Sequence, residues 1–77
     1  MTLKIFIRPD CHYCHKARDW LKKNKIEFIE QDIAEEDEFR EEMVRISGQL
    51  AVPVFEFNEK VLIGFDEKEL EKFVKKE

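Results

Sequence analysis

The sequence predicts an α/β fold with the element order β-α-β-α-β-β-α, a four-stranded mixed sheet with helices on both faces. Three observations carry this expectation. Short β-favouring runs alternate with segments of helical periodicity; the first run stops at Arg8-Pro9-Asp10 and leads straight into a helical pattern; and two late β-favouring runs are separated by only two residues. A strand, a helix and a second strand in succession demand parallel pairing through a right-handed crossover, and the late hairpin adds an antiparallel pair.

Leu3 to Arg8 is apolar and β-favouring, and Pro9 cannot continue it, so it reads as a buried strand ending in a turn. From Cys11 to Asn24 the spacing becomes helical. Cys14, Ala17 and Leu21 share one face, while Lys16, Arg18, Lys22 and Lys23 fall largely off it. Ile26 to Ile33 returns to β-favouring residues. Glu35 to Ser47 carries Phe39, Met43 and Ile46 at helical spacing, with acidic residues in its first turn, where the helix dipole favours them, and Gly48 as C-cap. Val54 to Phe57 and Lys60 to Ile63 flank Asn58-Glu59, a hairpin loop of two residues whose turn type the sequence leaves open. Gly64 breaks the second hairpin strand. Asp66, with Glu69 three residues later, makes a capping-box-like start for a last helix whose core face is Leu70, Phe73 and Val74.

With 77 residues the chain has room for one domain, spanning 1–77, and its 43% apolar content can supply a core. The net charge of -4 comes from 18 acidic and 14 basic residues that are mixed along the chain. No basic block exists to neutralise a run of phosphates, so nucleic acid is not an expected partner. No stretch approaches the ~20 apolar residues of a membrane span, and Met1-Thr2-Leu3-Lys4 enters a strand pattern with no signal-peptide core; a cytoplasmic protein without membrane attachment is expected. In that reducing compartment two cysteines three residues apart would close too small a loop to act as a structural staple, so they read as working thiols or metal ligands.

The chemistry sits in Cys11-His12-Tyr13-Cys14. At this spacing on a helix the two Cβ atoms lie ~5–6 Å apart, near disulfide range. The free N–H groups at the helix start favour a thiolate at Cys11, whose titration is expected below the free-thiol value, making it the attacking sulfur. Cys14, one turn further and on the apolar face, is better placed to resolve a mixed disulfide than to begin one. His12 beside the nucleophile adds to thiolate stabilisation when protonated. His15, Lys16 and Arg18 read as solvated surface residues, Arg8 as the charge at the strand end nearest Cys11, and Trp20 as a packing residue. Cys11 to His15 also satisfies the CxxCH pattern of covalent haem attachment, against which stand the missing export signal and a strand-rich chain. A closed zinc site would need a second CxxC or a distant Cys/His pair, and the sequence has neither.

These residues resemble the glutaredoxin family, within the wider group that includes small NrdH-type redoxins. The likeness runs through Cys11-His12-Tyr13-Cys14-His15, the Arg40-Glu41-Glu42-Met43 helix, Ser47-Gly48-Gln49, Ala51-Val52-Pro53 and Gly64-Phe65-Asp66, so it spans nearly the whole chain. It implies a thioredoxin-like fold and thiol-disulfide oxidoreductase activity toward protein disulfides and glutathione mixed disulfides. It also implies a cis Pro53 facing the active site, with the Val52 backbone pairing with an incoming cysteine-containing substrate like an added strand. By the same resemblance Arg8 would meet a carboxylate of glutathione, Tyr13 would flank its sulfur, Gln49 would line the groove, and Phe65 and Asp66 would receive its γ-glutamyl end.

This sequence departs from the family pattern at three positions. His12 replaces the usual proline between the cysteines, Ala51 replaces the usual threonine before Val52-Pro53, and Ile63 stands where glutaredoxins often have the first of two glycines, which narrows the γ-glutamyl site. Disulfide reduction is therefore expected with either glutathione as co-substrate or a flavoprotein thioredoxin reductase as electron donor, the latter being the NrdH-type alternative. A reading from another class is a [2Fe-2S] carrier, with Cys11 and glutathione from two subunits holding the cluster. Otherwise a monomer with no tightly bound cofactor is expected.

Overall fold

The computed structural model describes residues 2–75. Its elements are β1 (Leu3–Ile7), α1 (His12–Lys23), β2 (Phe28–Asp32), α2 (Asp37–Ser47), β3 (Val54–Phe57), β4 (Lys60–Ile63) and α3 (Glu67–Lys75). They form one sheet in the order β2-β1-β3-β4. β1 runs parallel to β2, with Ile5 opposite Glu30, and antiparallel to β3, with Ile5 opposite Phe55. β3 and β4 pair antiparallel. This is the mixed sheet that the element order predicts.

The alternation of side chains along the central strands explains why helices lie on both faces. Leu3, Ile5 and Ile7 point to one side, where they meet Phe55, Cys14, Ala17 and Leu21 of α1, and Leu70 of α3. Phe6 and Val54 point to the other, where Met43 of α2 and Ile33, just after β2, complete a second cluster. Phe39 and Ile46 pack against that cluster while remaining partly exposed, and Phe73 and Val74 do the same on the opposite face. Lys4, on the α2 side of β1, ties the layers together by reaching Glu42 of α2 at 2.8 Å and Glu56 of β3 at 3.8 Å.

Two elements begin two residues later than the sequence pattern predicts. β2 begins at Phe28 instead of Ile26, because Lys25 adopts a left-handed φ of 58° and the Ile26 N–H turns back to the Leu21 carbonyl. Ile26 still packs on the core, so its apolar character serves burial without joining the ladder. α2 begins at Asp37 instead of Glu35, because the Asp32 side chain captures the Ala34 N–H and its carbonyl takes Glu35, turning the chain before the helix can start. At the other end of α2, Gly48 has a φ of 72° and its N–H reaches the Val44 carbonyl, the left-handed C-cap that glycine allows. Asn58 and Glu59 both have positive φ, 54° and 67°, so the hairpin loop is a type I′ turn, whose twist matches its flanking strands.

Candidate active site

Cys11 is the N-cap of α1. Its backbone is extended, as an N-cap requires, and its Sγ accepts a hydrogen bond from the Cys14 N–H at 3.1 Å. One of the orphan donors of the helix start is thus aimed at this sulfur. Cys14 lies one turn on, in the stripe with Ala17 and Leu21, and is 2% exposed, whereas Cys11 is partly exposed. The two form a disulfide with a Cα–Cα separation of 5.2 Å. One sulfur is therefore accessible and hydrogen-bonded at a positive helix end, and its partner is sealed beneath it.

The opposite wall of the site comes from the loop after α2. The Val52-Pro53 bond is cis, Pro53 is buried, and the Val52 carbonyl oxygen lies 4.0 Å from Cys11 Sγ. The Pro53 carbonyl is taken by the Gly64 N–H at 2.8 Å, which fixes this segment to the chain leaving β4. Tyr13 stands 57% exposed beside the cysteines, edge-on to the His12 ring, with Lys16 Nζ over its face. Arg8 is exposed on the turn before Cys11 and lies 3.5 Å from the Asp10 carboxylate.

Phe65 packs against the same core cluster that holds Cys14, with Cys11 and Val52 on its margin. Asp66 caps α3: its Oδ1 accepts from the Lys68 N–H at 3.0 Å and the Glu69 N–H at 3.4 Å, and Oδ2 has no bond within the cap. Gln49 is turned onto its own loop. Its carbonyl accepts the Ala51 N–H, and its amide donates to the Ala51 carbonyl and to Ser47 Oγ. Both backbone groups of Ala51 are consequently held by one side chain, which sets the approach of the chain to Val52.

The glutaredoxin family model matches residues 3–62. The chain belongs to the glutaredoxin family. A glutaredoxin-like 8.6 kDa protein in the rubredoxin operon of Clostridium pasteurianum is 34% identical over 74 residues, covering 96% of this chain and 99% of that one. The glutaredoxin (Grx-1) of Archaeoglobus fulgidus superimposes with a TM-score of 0.86 at 23% identity, covering 95% of this chain and 85% of that one. The thioredoxin-like protein BC3987 superimposes with a TM-score of 0.88 at 20% identity, covering 95% of this chain and 100% of that one. The last two establish the thioredoxin-like fold. Together with the cysteine pair, these matches identify a glutaredoxin-like redox protein with a thioredoxin-like fold.

The N-cap bond yields a direct expectation for the reduced protein. A thiolate at Cys11 is favoured by the Cys14 N–H and the helix dipole, so the pH dependence of its alkylation by iodoacetamide should have its midpoint below the ~8.5 of a free cysteine. Buried Cys14 should label later. Labelling of Cys14 ahead of Cys11 would reverse the assignment.

Proposed function

We propose that this glutaredoxin-family protein reduces protein disulfides and glutathione mixed disulfides in the cytoplasm, with Cys11 as nucleophile and Cys14 as resolving thiol. The observation that supports this most directly is the unequal placement of the two sulfurs, one capping α1 within reach of solvent and the other buried. The Cys11 thiolate attacks one sulfur of the target disulfide, forming a mixed disulfide and expelling the other sulfur as a thiolate. Cys14, deprotonated, then attacks the Cys11 sulfur, releases the second substrate thiol and closes the Cys11–Cys14 bridge. Two electrons pass from the dithiol to the substrate, and an external donor must return them.

Glutathione is the donor that the polar groups around the site fit. Arg8 offers a cation for a carboxylate, the Val52 backbone an edge for extended pairing, Tyr13 a neighbour for the sulfur, and the uncapped oxygen of Asp66 an acceptor for an ammonium group. Phe65 would supply apolar contact at the same end. Ile63 weighs in the other direction. It is 49% exposed immediately before Gly64, adding a β-branched side chain beside the proposed γ-glutamyl position. That is the specific ground for the NrdH-type reading, in which a flavoprotein thioredoxin reductase supplies the electrons.

The two readings separate in one assay. Glutathione with glutathione reductase is expected to support slow, measurable turnover of a small mixed disulfide. Asp66→Ala should slow it further, and because capping substitutions cost ~1 kcal/mol the domain should stay folded. No turnover with glutathione, together with rapid reduction of the Cys11–Cys14 disulfide by thioredoxin reductase, would decide for the NrdH-type donor.

A further inference from the structure

The conformation of the turn between β1 and α1 decides where the Cys11 sulfur sits. Pro9 locks its own φ, so the remaining freedom ahead of the N-cap is the ψ of Pro9 and the two dihedrals of Asp10. The turn is closed from one side by the Cys11 N–H on the Arg8 carbonyl at 3.3 Å. The Pro9 carbonyl, whose direction is set by that free ψ, meets a side chain instead: His15 Nε2 lies 3.0 Å from it. On the other edge of the ring, His15 Nδ1 is 3.1 Å from Arg18 Nη2, and Arg18 Nη1 donates to Glu30 Oε2 on β2.

A carbonyl oxygen can only accept and a guanidinium can only donate, so one form of His15 satisfies both contacts: the neutral imidazole with its proton on Nε2 and its lone pair on Nδ1. The chain of bonds then runs from the edge strand through Arg18 and His15 to the turn that presents Cys11.

We propose that His15 is a positioning residue for the Cys11 nucleophile, holding the Pro9 carbonyl so that Cys11 keeps its N-cap geometry over the Cys14 N–H. This role rests on the reading of Cys11 as the attacking thiolate. His15 acts through the turn and does not touch the sulfur in any contact the structure describes. Its partners Arg18 and Glu30 anchor it to the sheet, so the turn is referenced to β2 as well as to α1.

The test is the alkylation of reduced protein by iodoacetamide, with the labelled cysteine identified by mass. His15→Leu removes both contacts and should slow Cys11 labelling at neutral pH roughly threefold, the size of one exposed hydrogen bond, and raise the midpoint of its pH profile. His15→Gln retains a donor and an acceptor and should restore the wild-type profile. Equal profiles in wild type and His15→Leu would overturn the positioning role, and so would equal impairment in the Leu and Gln variants. If wild-type protein labels first at Cys14, the nucleophile assignment itself fails, a result distinct from either of these. A measurement on the unmutated protein removes any dependence on how the variants fold. In a side-chain nitrogen spectrum at mildly alkaline pH, His15 should carry its proton on Nε2, and a proton on Nδ1 would overturn the bridge.

Discussion

Cys11→Ser should abolish disulfide reduction, whichever electron donor is supplied, with a loss of at least about a thousandfold, the order seen when a covalent nucleophile is removed. A serine hydroxyl at this N-cap can still accept the Cys14 N–H, since serine is among the preferred capping residues, so the helix should be retained. The loss would therefore report chemistry and not folding. Cys14→Ser should behave differently. Cys11 remains able to attack, but nothing resolves the product, and the protein accumulates as a mixed disulfide with its substrate that a mass measurement detects. Cys14→Ala provides the same trap without placing a hydroxyl at a position that is 2% exposed. Equal residual activity in the Cys11 and Cys14 variants would rule out the two-thiol scheme.

Much of this arrangement is legible in the sequence, because the signals are local. The stripe of Cys14, Ala17 and Leu21 needs only helical periodicity to be recognised, and all three are buried. Val54–Phe57 and Lys60–Ile63 emerge with the predicted bounds because a two-residue loop fixes the register of a hairpin. Asp66 was legible as a cap from its place between a strand breaker and an apolar helical pattern. The ends of β2 and α2 were less legible, since they depend on which backbone donors find partners in the turns at Lys25 and Asp32.

What stayed hidden is non-local. His15 carries no mark in the sequence that separates it from a solvated helix residue. Its role depends on the Pro9 carbonyl lying on the same side of the helix start and on Glu30, from the neighbouring edge strand, approaching Arg18. Gln49 is similar. The family resemblance places it along the groove, but the geometry of the Ser47–Ala51 loop commits its amide to neighbouring backbone. The anchor of His15 becomes visible only when β2 is paired beside β1.

Phe55→Ala should be the most destabilising single truncation of the core on the active-site side. Phe55 is fully buried in β3, opposite Ile5 of β1 and Leu62 of β4, within the cluster that contains Cys14, Ala17, Leu21 and Leu70. Removing its ring leaves a cavity bounded by two strands and two helices, and such substitutions cost ~3–5 kcal/mol. A domain of this length holds only about 4–12 kcal/mol in total, at roughly 0.05–0.15 kcal/mol per residue, so the change removes a large part of the stability. A lowered urea midpoint with an unchanged slope would locate the effect in the folded state. Val61→Ala on the exposed face of β4 is the matched control and should stay within about 0.5 kcal/mol of wild type. The consequence should reach the chemistry, because Cys14 rests on the same cluster, and in the proposed scheme its burial helps to make it the second thiol to react. In Phe55→Ala protein that is still folded, Cys14 should become accessible to iodoacetamide sooner relative to Cys11, while the N-cap preference for a thiolate at Cys11 persists. A cost below ~1 kcal/mol with unchanged labelling order would mean that the cluster collapses around the missing ring and that the order of the two thiols is set by the helix start alone.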